Sequence, residues 1–252
     1  ATGELVARVP KMGAAETRRA IEAADKALPA WRALTAKERA GKLRRWFELM
    51  IENKDDLGRI LTMEQGKPLA QARGEVGATE TFLRYAAEQA RRIEGEILPS
   101  DAPDEEIQIR RLPHGVVVGL TAWNYPLALA ARKLGPALVA GNAFILKAHE
   151  FTPLSGLALA ALAEQVGLPP GLFNVVTGDG RTLGRALVEG ADMVTMTGSL
   201  FTAFNARVLE YLQSVTLRDL VAEQQARGVR VESPVVARAK LARRPAPLMA
   251  RA

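Results

Sequence analysis

The sequence predicts an α/β protein, with about a hundred helical residues followed by a parallel sheet that carries helices on both faces. Three observations predict it. Apolar residues recur at helical spacing through the first hundred positions. Strand-like and helix-like runs then alternate at short intervals, and each strand-like run ends in a turn that opens a helix. The 252 residues are 48% hydrophobic and 25% charged, enough to bury a sizeable core and too apolar for a disordered chain.

Each element follows from its residues. Leu43, Trp46, Phe47, Met50 and Ile51 fall on one helix face. Ile21, Ala24 and Leu28 do so more weakly, and Pro29 predicts that this helix ends there. A third helical stretch covers residues 69–93. Residues 106–111 alternate apolar and polar as a half-exposed strand does, and Gly115 separates them from a continuous apolar strand at 116–120. Further strands are expected at 143–146, 172–176 and 193–196, with helices at 127–139, 153–166 and 182–188. Right-handed crossovers make such strands parallel. Ligands of such sheets bind beyond the carboxyl ends of the strands, so the turns leaving each strand are where chemistry belongs.

Composition narrows the function classes. There is no cysteine, which excludes disulfides, thiolate metal sites and a cysteine nucleophile within these residues. His114 and His149 stand far apart with no acidic or thiol cluster beside them, so no metal site is expected. The sequence begins with Ala, shows no signal-type apolar run and holds no span of membrane length; its richest window, 127–139, is broken by Arg132 and Lys133. A cytoplasmic protein with no membrane partner is expected. The net charge is +6, but residues 204–252 hold nine Lys/Arg against four Asp/Glu and account for most of it. That tail has few aromatics and no recognition module, so no nucleic-acid partner is expected. It reads as one amphipathic helix followed by a disordered Ala-, Arg- and Pro-rich end.

Four turns carry unusual residues. The first is Thr121-Ala122-Trp123-Asn124-Tyr125-Pro126, and the second is Lys147-Ala148-His149-Glu150. The third runs from Thr177 through Gly178, Gly180 and Gly184, and the last is Thr197-Gly198-Ser199. Read singly, each has a plain alternative. Asn124 is either a turn residue or an amide donor to a developing oxyanion. Lys147 and Glu150 are either solvated charges or a pair suited to the hydroxyls of a ribose. The glycine spacing is one residue longer than the usual dinucleotide pattern and fits a tight turn equally well.

Taken together and in this order, the turns resemble the cofactor half of the NAD(P)-dependent aldehyde dehydrogenase family. The resemblance covers about residues 1–199. It includes Ala1-Thr2-Gly3-Glu4, Glu64-Gln65-Gly66-Lys67-Pro68, Trp123-Asn124-Tyr125-Pro126, Gly135-Pro136-Ala137-Leu138, Gly141-Asn142, Gly167-Leu168-Pro169-Pro170-Gly171 and Phe173-Asn174-Val175-Val176. Gly95-Glu96-Ile97 with Ser100-Asp101 is similar to the branch acting on lactaldehyde, glycolaldehyde or succinate semialdehyde.

The resemblance implies a Rossmann-like cofactor domain over residues 1–203 and a β-hairpin arm, with NAD or NADP as cofactor and a small aldehyde as substrate. The hairpin is expected within 106–118, about 104–120 overall, and implies homo-oligomers. By resemblance, Asn124 supplies the oxyanion donor, Lys147 and Glu150 hold the adenine ribose with His149 beside them, and Thr121, Ala122 and Trp123 line the cofactor. Gly178 and Gly180 keep the adenine side clear, and Gly184 lets helix and strand approach. Thr197, Gly198 and Ser199 open a helix whose N–H groups meet the pyrophosphate.

There are departures. Ala148 stands where the family usually has Pro. Past Ser199 the family's glycine, its Glu-Leu-Gly-Gly segment with the general base, and the catalytic domain with its cysteine are not found. The family's oxidation begins with thiolate attack on the carbonyl. Without that group the expectation is a truncated fold, inactive alone: a truncation or frame-changed product, a non-catalytic NAD(P)-binding module, or an interaction fragment.

Overall fold

The computed structural model of the chain describes residues 4–196. Four helices come first: α1 (Ala14–Ala33), α2 (Ala36–Glu52), α3 (Lys54–Gln65) and α4 (Leu69–Gln89), closed by a 3₁₀ turn at Ala90–Arg92. A hairpin of β1 (Glu96–Pro99) and β2 (Glu106–Ile109) follows. The rest alternates: β3 (Val116–Leu120), α5 (Pro126–Val139), β4 (Ala143–Lys147), α6 (Pro153–Gln165), β5 (Phe173–Val176), α7 (Gly180–Gly190) and β6 (Met193–Thr195). The four strands pair in the order β5-β4-β3-β6, all parallel.

Helices cover both faces, as the sequence predicts. A Cβ at Gly156 of α6 would lie 3.1 Å from Leu146 and 3.5 Å from Val175, which places α6 on their face. Asn174, one residue along β5, points to the opposite face, where its amide donates to Ala20 O of α1 at 3.4 Å. There α7 packs on α1, with Ile21 against Gly190. Strand β4 is buried over all five residues, so its continuous apolar pattern marks the centre of the sheet.

Several expectations are corrected. Helix α1 does not stop at Pro29 but runs on to Ala33. Beyond the proline, Trp31 is fully buried and its indole N–H donates to Leu138 O at 2.8 Å, and this packing outweighs the one backbone bond that proline removes. The hairpin does not lie within 104–120. Its first strand is Glu96–Pro99, and only Glu106–Ile109 falls in the expected range; Val116–Leu120 belongs to the parallel sheet. Gly95 admits this pairing, because a Cβ there would sit 2.3 Å from Ile109 O. The strand expected to be half-exposed is exposed at all four positions. Helix α3 was not expected, and the third helical stretch ends at Gln89 rather than 93. All of these elements belong to one compact unit. The helix and tail expected within 204–252 lie outside the described residues. Among the described residues no helix is long and apolar enough to cross a membrane, and no group of His, Cys, Asp and Glu is placed to hold a metal.

Candidate functional site

The carboxyl ends of β3, β4 and β5 lie side by side, so three of the four turns meet at one edge of the sheet. Their backbones interlock. Thr121 donates to Lys147 O through both its N–H and its hydroxyl, each at 3.4 Å, and Ala148 N donates to Val176 O at 3.2 Å. Thr121 and Thr177 are buried and Ala122 is half-buried.

Lys147 ends the most buried strand, and its side chain is only 8% exposed. Its ammonium donates to Glu150 Oε2 at 3.3 Å, while the Glu150 side chain remains 45% exposed. A buried ammonium is stable only when paired and hydrogen-bonded. This one uses one of its three donors on Glu150, leaving donors and carboxylate oxygens for a polyhydroxy ligand. His149 stands between them. Burial lowers its pKa, and the Lys147 charge adds to that while Glu150 opposes it. The imidazole Nδ1 accepts from Phe151 N at 3.2 Å.

Trp123 and Asn124 are exposed on the first turn. The Asn124 side-chain amide makes no hydrogen bond among the described residues; its backbone carbonyl is held instead. Gln65 Nε2 donates to Trp123 O at 2.8 Å and Asn124 O at 2.7 Å, and Lys67 Nζ donates to Asn124 O at 2.9 Å. Lys67 also pairs with the fully buried Glu75 and sits 3.9 Å from the centre of the Tyr125 ring. The other oxygen of Glu75 accepts from Leu127 N at 3.0 Å and Ala128 N at 3.3 Å, capping α5.

Glu64 does the same for α6, accepting from Leu154 N at 2.7 Å, Ser155 N at 3.0 Å and the Ser155 hydroxyl. Burial raises its pKa against the pull of these donors. Gly66 lets one segment serve both turns: it ends α3 at φ +82°, a left-handed conformation that glycine adopts without strain. The sequence singled out Glu64 to Pro68 only as a resemblance and assigned it no role. Glu75 was not singled out at all, and a buried carboxylate inside a helix was the one available signal.

The glycine turn divides. Gly178 has φ +136°, and a Cβ there would meet Met12 O at 2.8 Å, so its need for glycine comes from the amino-terminal segment. That segment is clasped by Thr177, whose hydroxyl donates to Pro10 O at 2.6 Å and whose carbonyl accepts from Met12 N at 3.0 Å. Gly180 opens α7 beside Asp179, the N-cap, and a Cβ there would meet nothing within 4 Å. A Cβ at Gly184 would also meet nothing within 4 Å among the described residues. Thr197, Gly198 and Ser199 lie outside the described residues.

The aldehyde dehydrogenase family model matches residues 1–226. The chain belongs to this family. The family model extends past Ser199, while the matches to the curated relatives below span 201 residues, close to the limit read from motifs. Among curated relatives, a glutarate-semialdehyde dehydrogenase of Pseudomonas aeruginosa is 57% identical over 201 residues, covering 79% of this chain and 42% of the relative. A succinate-semialdehyde dehydrogenase [NADP(+)] of Escherichia coli is 50% identical over 201 residues, with the same coverage of 79% and 42%. A solved 3,6-anhydro-L-galactose dehydrogenase in complex with NAP superposes at a TM-score of 0.75 with 47% identity, covering 77% of this chain and 41% of that one. The chain thus spans about two fifths of the length of the curated relatives it matches. Aldehyde dehydrogenases are oxidoreductases, and homologues of this chain use NAD or NADP.

Proposed function

We propose that this chain forms the cofactor side of an NAD(P)-dependent oxidation of a small aldehyde to its acid. One observation carries the reading: at the carboxyl end of the central strand, buried Lys147 and half-exposed Glu150 form a pair with spare donors and acceptors. They would hold the ribose, with His149 neutral beside them. Thr121, Ala122 and Trp123 would line the cofactor through backbone groups, and the turn at Gly178 and Gly180 would border the adenine. Thr197, Gly198 and Ser199 would meet the pyrophosphate, and Gly184 would lie behind them. When bound, the nicotinamide accepts hydride. Asn124, with its backbone fixed by Gln65 and Lys67 and its amide unengaged, would donate to the carbonyl oxygen as negative charge develops there. The semialdehydes named for the relatives supply the substrate class, a short chain with an aldehyde at one end and a carboxylate at the other.

These 252 residues contain no cysteine, so the chain by itself supplies no thiolate to attack the aldehyde. It is therefore expected to bind cofactor without turnover in a cytoplasmic setting. Titration with NAD and NADP, read by tryptophan fluorescence, tests this. Hydrogen bonds to charged groups contribute about 1.5–3 kcal/mol, so Glu150→Ala should weaken NAD binding about tenfold or more. Unchanged affinity would remove Glu150 from the site. NADH formation at 340 nm with succinate semialdehyde would overturn the lack of turnover.

The hairpin favours a second role. Ile97, Leu98, Ile107 and Ile109 are all exposed on a two-stranded sheet, which suits association between copies of this chain.

A further inference from the structure

Away from the crevice, α2 and the end of α4 enclose a cavity of about 470 Å³. Its charged rim is Lys37, Arg44, Arg91, Arg92 and Glu88, and its floor is small: Ala40, Ala87 and Gly41. Lys37, Gly41 and Arg44 recur at helical spacing along one face of α2. Arg91 and Arg92 come from the 3₁₀ turn that closes α4.

The charge here is not neutralised among the described residues. None of the four cations forms an ion pair or a side-chain hydrogen bond among the described residues, and neither does Glu88. Their neighbours behave differently. Arg45, beside Arg44, pairs with Glu52 at 2.8 Å and Glu48 at 3.5 Å, and Arg84 pairs with Glu80. Arg91 and Arg92 partly answer the negative end of α4, as cations at a helix carboxyl end do. Lys37 has no such reason. It lies in the first turn of α2, whose amino end Thr35 and Glu38 already cap, so it answers no charge of the helix itself. Three excess positive charges therefore line one concavity.

We infer that this cavity is a binding site for a small multivalent phosphate anion, of the pyrophosphate or polyphosphate class. Guanidinium forks match phosphate oxygens in pairs, and the volume falls within the range of small-ligand pockets. The lining contains no aromatic ring, so nothing in it stacks on a base and the phosphate alone is read.

The test is calorimetric titration of the whole chain with sodium pyrophosphate at low salt. Saturable binding is expected, falling at least tenfold in Arg44→Ala/Arg91→Ala. The charge-matched control Arg19→Ala/Arg59→Ala, on other surfaces, should stay within twofold. Gly41→Glu sharpens the result, since a Cβ at Gly41 meets nothing within 4 Å among the described residues and the substitution would place a carboxylate in the cavity without disturbing the fold; binding should vanish while the thermal melt is not lowered, Glu being the better helix former. No saturable binding, equal loss in both double variants, or full binding in Gly41→Glu would each overturn the inference, the last by locating pyrophosphate in the crevice. The part of ADP binding that Gly41→Glu abolishes should be no tighter than pyrophosphate binding; tenfold tighter binding there would overturn recognition of phosphate alone.

Discussion

The crevice turns and the hairpin are built in opposite ways. At the crevice, Glu75 is fully buried and Glu64 half-buried, and each caps the helix that follows a strand. Those caps, with Gln65 and Lys67, hold the exposed Trp123–Asn124 backbone from behind. In the hairpin all eight strand residues are exposed, and the nearest anchor is the exposed pair of Arg111 and Glu96 at 3.5 Å. One region spends buried charge to fix a surface loop; the other leaves apolar surface free. The comparison teaches that rigidity follows burial of the polar partner, since an ion pair held out of water resists rearrangement and a solvated one contributes little.

Substitutions test the contrast. The largest effect is expected for Glu75→Ala, which leaves the buried Lys67 ammonium unpaired and α5 uncapped. Urea unfolding should show a loss of about 3–5 kcal/mol; a loss under 1 kcal/mol would mean that Glu75 does not anchor the turn. Glu64→Ala should cost less, about 1–2 kcal/mol, as a cap lost from a partly exposed site.

Glu64 also has a pH signature. Its pKa is raised by burial, so the folded state favours the protonated form. That contribution is complete below the carboxyl's unfolded value and is lost as pH rises through the raised folded value. Glu64→Gln should therefore gain stability relative to the parent as pH rises above about 4. A pH-independent difference between the two would contradict the burial. The smallest effect is expected in the hairpin. Ile97→Ser with Ile107→Ser should change monomer stability by no more than about 0.5 kcal/mol, while sedimentation shows weaker self-association. A large stability loss would show that the hairpin packs more tightly than its exposure indicates.

Much of this was legible in the sequence because local signals agreed. The apolar runs of β3 and β4 and the Pro-initiated α5 and α6 gave the parallel sheet and the places of Lys147, Glu150 and Asn124. Long-range contacts were not legible. Pro29 reads as a stop because the burial of Trp31 against Leu138, 107 residues away, leaves no local trace. Glu64 caps a helix 90 residues on, and Gln65 reaches a turn 58 residues on. The hairpin was misplaced because β1 is a four-residue strand with every residue exposed, so it carries no burial pattern to read.

The clasp of Thr177 on Pro10 and Met12 sets an order of events during synthesis. Its two halves are 167 residues apart, and α1 behind it rests on a strand that is made almost as late. The amino-terminal segment leaves the ribosome long before β5 exists, and β6 follows later still. The first helix must therefore wait, with its apolar face uncovered, while the chain that will cover it is made. Assembly of this sheet runs against the direction of translation, a slow route of high contact order in which residues made before the sheet are among the last to be secured.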